Sequence, residues 1–396
     1  MSQDTSIKVH ETSIKTRVVN TLDQVNQLDW DRCLGESGSP FLRYSFLAGL
    51  ERCGCVGGES GWIPKYVLAE FNSDLVGVTP AYVKYHSQGE FIFDWSWADA
   101  AHRAGMPYYP KLVVTSPFSP IGSEKLLCDP EQNQVTRKAI RLALLDALKS
   151  LTLTEGLTGL HLLFISEEEA DSLQDVGLLR RHTLQFQWTN NHYQDFDDFL
   201  SRFRSKRRNQ IKRERRRIRE SGVTVQVYHG DDVKESHIPI IYQLYRTTVE
   251  KYFFGNLYLN YDFLKHLFET QREHICLLLA EKDQEVIGGS FNLVAKGVLY
   301  GRYWGINADV SIDYLHFEVC AYRGIEACIE RGWTRFEAGA GGGAHKYGRG
   351  FLPRVIYSAH EVYLPGFKPA LTKVLHDERR QIEIELNSIE GDIFKV

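Results

Sequence analysis

The feature that most constrains the fold of this chain is a stretch of sequence that occurs twice. Residues 66–77 read YVLAEFNSDLVG, and residues 277–288 read LLLAEKDQEVIG. The matched positions are Leu68 and Leu279, Glu70 and Glu281, Asp74 and Glu285, and Gly77 and Gly288. An apolar run, a polar turn and a second apolar run are typical of a β-hairpin. The sequence therefore predicts two related hairpins, although two unrelated hairpins would also produce this pattern.

The segments around the two hairpins follow the same order. Each hairpin is preceded by a helical pattern and continues into a turn, which contains Gly89 or Gly297, and an aromatic-rich strand. The predicted helices are 46–53, 134–152, 167–176, 238–250, 262–271 and 315–331, and the predicted strands lie within 64–95, 159–165, 275–305 and 334–338. This order indicates an α/β fold, with mixed and largely antiparallel sheets flanked by helices.

A chain of 396 residues is too long for one ordinary hydrophobic core, so we expect two domains. The repeat places them in tandem. We predict a flexible N-terminus (1–15), a first domain (16–185), a second domain (186–365) with a basic helix at 201–220, and a C-terminal helix (366–396).

Composition narrows the location and the kinds of site. Seven cysteines, an odd number in a large chain, favour free thiols in a reducing compartment. Cys53 and Cys55 are too close together for the usual CxxC spacing, so no metal site is expected. The sequence shows no signal peptide and no apolar run long enough to span a membrane. We therefore expect a cytoplasmic protein.

Several long blocks resemble the FemAB-like, or peptidoglycan biosynthesis/recognition, family, in which a GNAT N-acetyltransferase fold is duplicated. These blocks are FDWSWADA (93–100), YYPKLVVTSPFSP (108–120), FRSKRRNQIKRERR (203–216), LHFEVCAY (315–322) and FEAGAGGGAHKYGRGFLP (336–353). The resemblance implies an acyltransferase or aminoacyltransferase with no tightly bound cofactor. Its co-substrate would be acyl-CoA or aminoacyl-tRNA, and its acceptor an amine, such as one on a cell-wall precursor.

The sequence departs from simple acetyltransferases at one point. Those enzymes carry a glycine-containing loop after the aromatic strand, where backbone N–H groups at a helix N-terminus hold pyrophosphate. Here residues 305–317 read GINADVSIDYLHF, with no glycine after Gly305. The departure favours a Fem-like donor over acetyl-CoA, although coenzyme A held in another way stays open.

The basic helix is the first segment that could bind a donor. Residues 202–219 contain eleven Lys or Arg and one acid, Glu214, in a chain of net charge −4. Such a run attracts a polyanion, whether tRNA, a nucleotide-linked lipid precursor or the phosphates of coenzyme A. We assign Arg207, Arg208 and Lys212 to donor binding. A solvated helix face or a lipid-surface patch is the alternative.

A glycine-rich loop follows the strand at 334–338. Glycines permit close approach of the backbone to a ligand, and the adjoining His345, Lys346 and Arg349 supply a titrating group and partners for anions. The spacing is not that of a P-loop. We predict a donor-binding loop that uses Lys346 and Arg349 together with Gly339, Gly341, Gly342 and Gly343, although a flexible turn would also explain the glycines.

Attack by an amine requires a base and a partner for the oxyanion. Glu337 and His345 are the candidate bases, and Tyr303 is the candidate acid for the leaving group. In the first half, FDWSWADA and the residues that follow suggest a stacking platform beside two carboxylates, because tryptophans two apart on a strand share one face. The predicted acceptor-binding residues are Asp94, Trp95, Trp97, Asp99, Tyr108 and Lys111, with core packing as an equal alternative.

The function that these features favour is transfer of an acyl or aminoacyl group from an activated carrier to an amine. The second half would hold the donor and the first half would help to hold the acceptor. A non-catalytic protein that keeps the fold and binds RNA or another polyanion through residues 202–219 is the alternative.

Overall fold

The computed structural model describes residues 14–35, 38–251, 256–341, 343–389 and 393–394. Most of the predicted flexible N-terminus, together with Gly342 of the glycine loop, lies outside these ranges. None of the helices in the described part of the chain combines the length and the apolar character that a transmembrane helix requires.

Strands and helices alternate along the chain. The strands are β1 (Lys15–Val19), β2 (Trp62–Pro64), β3 (Tyr66–Phe71), β4 (Asp74–Thr79), β5 (Ala81–Lys84), β6 (Lys111–Val114), β7 (Leu127–Cys128), β8 (Gly159–Ile165), β9 (Leu179–Thr189), β10 (Thr224–His229), β11 (Ile275–Lys282), β12 (Glu285–Ala295), β13 (Val298–Ile306), β14 (Arg335–Glu337) and β15 (Leu352–Val362). The helices are α1 (Gln27–Leu34), α2 (Tyr44–Arg52), α3 (Trp95–Arg103), α4 (Gln134–Thr154), α5 (Glu167–Asp175), α6 (Phe196–Ser201), α7 (Ser205–Glu220), α8 (His237–Glu250), α9 (Tyr261–Thr270), α10 (Leu315–Phe317), α11 (Arg323–Glu330), α12 (Ala344–Tyr347) and α13 (Phe367–Ile389). A π-helical turn, Glu318–Tyr322, joins α10 to α11.

The strands form two sheets. The smaller sheet has the order β1-β3-β4-β7, and the larger has the order β10-β11-β12-β13-β14-β9-β15-β8-β6-β5-β2. β13 pairs with β14 in parallel, and β6 pairs with β8 in parallel. The other neighbouring strands in the larger sheet are antiparallel. The predicted α/β class with mixed, largely antiparallel sheets is therefore confirmed.

The two predicted hairpins share their backbone detail. Both turns have two successive residues with positive φ, as type I′ hairpin turns require: Asn72 and Ser73 at 52° and 72°, Asp283 and Gln284 at 52° and 68°. Both pairings shift register at the same place in the repeat, between Ala69 and Glu70 and between Ala280 and Glu281. A shared turn type and a shared bulge position are features of structure, so the related-hairpin interpretation is supported over chance similarity.

The copies diverge at Pro80. In the second copy β12 is one continuous strand, whereas in the first copy Pro80 separates β4 from β5, and these two strands enter different sheets. Proline has no N–H to donate to a ladder, which explains why the strand ends there. The aromatic-rich strand predicted to end near residue 95 is absent from the described structure, since Phe91 has φ 62° and α3 begins at Trp95.

The last strand of each copy pairs with strands of the other copy. β9, which follows β8 in the first half, pairs with β14, while β15, which follows β14, pairs with β8. β9 and β15 also pair with each other. The predicted boundary between residues 185 and 186 falls inside β9, so a division drawn there cuts one strand, and the two-domain division stays a prediction.

Candidate functional site

A cleft opens in the second half where two parallel strands separate. β13 and β14 pair only from Val298 and Arg335 to Tyr300 and Glu337. Beyond that point a register shift in the pairing with β12 leaves Arg302 outside the ladder. The cleft has a volume of about 420 Å³. Its walls come from β12, β13, the helical segment around the π turn, and the loop after β14: Ser290, Asn292, Gly301, Arg302, Tyr303, Trp304, His316, Phe317, Cys320, Ala321, Phe336, Ala338, Ala340, Gly341, His345, Lys346, Arg349 and Phe351.

Glycines bring the two walls close together at the point of separation. A Cβ atom at Gly339 would lie 2.9 Å from the carbonyl oxygen of Gly301, and Gly339 has φ +74°. No other residue type fits that approach and that backbone conformation together. On the helical wall, Cys320 and Ala321 belong to the π turn and face the cleft. π turns occur often at functional sites.

The mouth of the cleft is rich in basic groups. Burial, with help from the Lys346 and Arg349 cations, lowers the pKa of His345, so its imidazole is neutral and able to accept a proton at neutral pH. Burial, together with the nearby His345, Arg349 and Lys346, lowers the pKa of His316 to about 4. His316 is not among the residues that the sequence analysis selected, yet it lies in the cleft wall.

Lys346 closes the glycine loop on itself. Its Nζ donates to the carbonyl oxygens of Ala338 at 3.0 Å, Gly339 at 3.2 Å and Gly341 at 2.6 Å. Burial lowers the pKa of this ammonium to about 8. The predicted grouping of Gly339, Gly341 and Lys346 is therefore seen as one local structure, and Gly343, which precedes α12, adjoins it.

Tyr303 presents an unused hydroxyl. The Tyr303 side chain packs against Tyr245, with ring centroids 4.6 Å apart, and its buried hydroxyl has no hydrogen-bond partner among the described residues. Burial raises its pKa, so the hydroxyl stays protonated and is able to donate. Beside it, the Arg302 guanidinium donates to the Phe118 carbonyl and thereby joins the cleft to the first half.

The buried acid of the basic helix fixes that helix to the cleft. Glu214 is buried on α7, where its carboxylate accepts hydrogen bonds from Arg349 at 2.9 Å, Tyr322 at 2.5 Å and Gln210 at 2.8 Å. The next residue, Arg215, forms ion pairs with Glu318 and Glu326, each with an N–O distance of 2.9 Å. The sequence analysis missed this role, although a single acid within eleven cations was a signal for it.

The outer side of α7 carries most of the predicted polyanion-binding residues. Arg207 is half-buried and donates to Gln210, Arg208 is half-buried, and Lys212 is exposed beside Asp197 at 2.8 Å. None of these three lines the cleft. Arg349 is the cation that contacts both α7 and the cleft, so the helix reaches the site through its buried face.

Glu337 lies on the other face of the sheet from His345. Side chains alternate along β14, so Phe336 faces the cleft while Arg335 and Glu337 face away from it. Arg335 Nη2 lies 3.0 Å from Glu337 Oε1. Burial raises the pKa of Glu337, against the opposing effect of Arg335. Of the two candidate bases, His345 therefore lines the cleft and Glu337 does not.

The six predicted acceptor-binding residues separate into two environments. Lys111 is fully buried between Glu90 and Asp94, at 2.8 and 2.5 Å, and Tyr108 donates to Asp94 at 2.6 Å. Trp97 is buried too. Trp95 and Asp99 are exposed.

The shared-face argument for the tryptophans is wrong, because Trp95 and Trp97 lie on α3, where residues two apart point to different sides. Burial would raise the pKa of Asp94, but the Lys111 ammonium outweighs it and the pKa falls. Burial raises the pKa of Glu90 to about 7. Asp94, Tyr108 and Lys111 thus satisfy one another, and acceptor binding by the six residues stays a prediction.

Comparison with known proteins gives one family and several structures of similar fold. The family model FemAB-like, peptidoglycan biosynthesis/recognition, matches residues 21–394. FemX is 11% identical, with 89% of this chain and 98% of that chain covered at a TM-score of 0.51. L-PGS from Bacillus licheniformis is 11% identical, with 89% of this chain and 97% of that chain covered at a TM-score of 0.52. A conserved protein of unknown function from Bacteroides thetaiotaomicron is 8% identical, with 85% of this chain and 97% of that chain covered at a TM-score of 0.52. No curated protein matches the sequence. At these identities the structural likeness shows the fold alone.

Proposed function

Because this chain belongs to the FemAB-like family of peptidoglycan biosynthesis/recognition proteins, we propose that it transfers an acyl or aminoacyl group from an activated carrier to an amine. The donor would be acyl-CoA or aminoacyl-tRNA, bound in the cleft where β13 and β14 separate. The observation that carries this proposal is the cleft itself, in which glycine-lined backbone faces the side chains of His345, Lys346 and Arg349.

The cleft has the groups that an anionic, activated donor needs. Lys346 and Arg349 line the cleft and would attract the phosphates of either carrier. To bind them, Lys346 would exchange loop carbonyls for phosphate oxygens, and Arg349 would bind while still paired with Glu214. They stand in for the glycine-containing pyrophosphate loop that residues 305–317 lack. The apolar side chains Phe317, Phe336 and Phe351 line the interior and would exclude water from the reacting ester.

The reaction requires two proton transfers. A base takes a proton from the acceptor ammonium or from the attacking nitrogen, and the nitrogen forms a bond to the donor carbonyl carbon. The bond from that carbon to the carrier oxygen or sulfur then breaks, and the carrier leaves with a proton as an alcohol or thiol. His345 is the candidate base within the cleft. The protonated Tyr303 hydroxyl stays the predicted donor to the leaving group. The Tyr303 side chain packs beside Tyr245 on the α8 face of β13, so this role requires the leaving group to be reached from that face.

The first half would contribute to the acceptor side. Of its predicted set, Trp95 and Asp99 are the members that reach solvent, and Trp95 stacks on Phe93 with ring centroids 4.1 Å apart. An exposed, stacked aromatic pair offers a flat apolar surface to a ligand. Asp94, Trp97, Tyr108 and Lys111 would act only by holding that surface in place.

A second candidate function is supported by the outward cations of α7. Arg202, Arg204, Lys206, Arg213, Arg216, Arg217 and Arg219 are exposed on or beside that helix. This density of charge favours a polyanion even without any chemistry in the cleft. A non-catalytic protein that binds RNA would use this surface alone.

A thermal-shift screen with coenzyme A, acyl-CoA, aminoacyl-tRNA and uncharged tRNA separates the two functions. A ligand present at 100 times its Kd stabilises the folded state by about 2.7 kcal/mol, which such a screen detects. We expect stabilisation by an acyl-CoA or by an aminoacyl-tRNA. Equal stabilisation by charged and uncharged tRNA, lost when Arg207 and Arg208 are both replaced by Glu, would support the RNA-binding alternative instead.

Replacement of His345 by Ala is expected to lower the transfer rate constant with the stabilising donor by about 100-fold, because a positioned base contributes at least that much. The readout is kcat under saturating donor. His376, which is exposed on α13, provides the matched His→Ala control and should leave kcat unchanged. A His345→Ala enzyme with unaltered kcat would remove His345 from the mechanism.

A further inference from the structure

A second cavity lies on the opposite face of the central strands, away from the cleft. Its volume is about 220 Å³. It is built from both halves of the chain. β14 and β15 supply Arg335, Glu337, Arg354 and Tyr357, β9 supplies Gln185 and Gln187, and the start of α5 supplies Glu167. The Glu167 carboxylate is already engaged, because it accepts from Tyr357 and pairs with Arg180. The exchange of the two last strands creates this cavity, because it sets β9 between β14 and β15.

The strand register puts opposite charges at the two ends of the cavity. Glu337 is opposite Gln187 on β9, and Gln185, two residues earlier on β9, is opposite Arg354 on β15. Side chains two apart on a strand share a face, so all four project into the same space. Glu337 and Arg354 are therefore two strand spacings apart across the sheet and two residues apart along it, which is about 12 Å between backbones.

Both charged ends have capacity to bind. Arg354 is exposed, and no ion pair or hydrogen bond engages its side chain among the described residues. The Nε of Arg335 is buried and likewise has no hydrogen-bond partner there. Glu337 has one ionic partner, Arg335, through one of its two oxygens. A carboxylate accepts more hydrogen bonds than that single contact provides.

We propose that this cavity binds an amine that also carries a carboxylate, such as an amino acid or the end of a short peptide, with the ammonium at Glu337 and the carboxylate at Arg354. This proposal rests on the proposed transferase function, because it identifies the ligand of the cavity as the acceptor in that reaction. Glu337 ends β14 at the last residue that pairs with β13, so an amine held there lies beside the point where the strands separate, on the face of the sheet opposite the donor cleft.

The chemistry of recognition follows from the charges. A guanidinium binds a carboxylate through paired, charge-assisted hydrogen bonds, and a carboxylate binds an ammonium in the same way. A cavity of this size accommodates one amino-acid-sized group rather than a whole nucleotide. Loss of the carboxylate or of the amine from the ligand removes one of the two anchors.

The test is a titration by calorimetry or ligand-observed NMR with 6-aminohexanoate, hexylamine and hexanoate. We expect 6-aminohexanoate to bind at least about tenfold more tightly than either singly charged analogue, because each lost charged hydrogen bond is worth that factor or more. The Arg354→Ala substitution should weaken the binding of 6-aminohexanoate by a similar factor. The control is Arg380→Ala, an exposed arginine on α13, which should change nothing.

The outcomes separate this proposal from the transferase function. If the donors stabilise the protein but 6-aminohexanoate does not bind, or binds no better than hexylamine or equally well to Arg354→Ala, the cavity proposal fails and the transferase proposal stands. If 6-aminohexanoate binds through Arg354 and no donor binds, the cavity is a ligand site but its assignment as the acceptor site is overturned. Binding of both, with donor affinity unaltered in Arg354→Ala, supports both.

Discussion

Replacement of Glu214 by Gln is expected to lower the free energy of unfolding by about 3–5 kcal/mol, the usual cost of removing one partner from a buried ion pair. The side chain keeps its size, so no cavity forms and the change reports the charge. Arg349, buried at the cleft and 2.9 Å from the Glu214 carboxylate, would lose its counter-ion. Urea denaturation measures the change.

The matched control lies on the same helix. Glu220 is exposed and sits 3.6 Å from Arg216, so Glu220→Gln should cost less than about 1 kcal/mol. A Glu214→Gln protein as stable as the Glu220→Gln protein would show that α7 is not fixed to the cleft by this carboxylate. Donor affinity should fall only in Glu214→Gln, because Arg349 lines the donor cleft.

Replacement of Lys111 by Met is also expected to lower the free energy of unfolding by about 3–5 kcal/mol. Lys111 has no solvent exposure and lies between the carboxylates of Glu90 and Asp94. Without it, two buried carboxylates face each other with no cation at that point. The change should be larger at pH 8 than at pH 5, since the pKa of Glu90 is raised to about 7 and its carboxyl group is neutral at the lower pH.

Lys265 provides the control for this substitution. It is exposed on α9 with Glu269 at 3.9 Å, so Lys265→Met should change stability by less than about 1 kcal/mol at either pH. If Lys111→Met lowered the free energy of unfolding equally at pH 5 and pH 8, this would contradict the interpretation of Lys111, Glu90 and Asp94 as a cluster of ionised groups. A retained acceptor affinity in a folded Lys111→Met protein would exclude Lys111 from acceptor binding, as its burial suggests.

Local features of the fold were predictable from the sequence. The two hairpins follow from apolar runs around polar turns, and the first residue of each turn, Asn72 or Asp283, is a type that tolerates the positive φ these turns need. The helix at 315–331 follows from its apolar spacing, although its π turn does not. These elements depend on residues close together in the chain.

Long-range arrangements were not predictable in the same way. The aromatic-rich segment before Trp95 has the composition of a strand, but Glu90 and Asp94 are drawn to Lys111, about twenty residues later, and the segment does not join a sheet. The pairing of β9 with β14 and of β15 with β8 joins segments far apart in the chain. No local pattern reports such pairings.

The candidate site contains both local features, which the sequence predicts, and long-range arrangements, which it does not. Gly339, Gly341, Lys346 and Arg349 come together because they are neighbours in the chain, and Tyr303 joins them through the strand separation. Glu337 was named as a candidate base, but its side chain lies on the other face of β14 from the cleft. Which face it occupies depends on side-chain alternation and therefore on the placement of β14 in the sheet, which the sequence alone did not fix.

The most direct test of this account is a crystal structure with the donor that gives the largest thermal shift. The account predicts density for the acyl or aminoacyl group between Gly301–Trp304 and Ala338–Gly341, with the carrier phosphates near Lys346 and Arg349. Density for the donor confined to the outer face of α7, with the cleft between β13 and β14 empty, would contradict it.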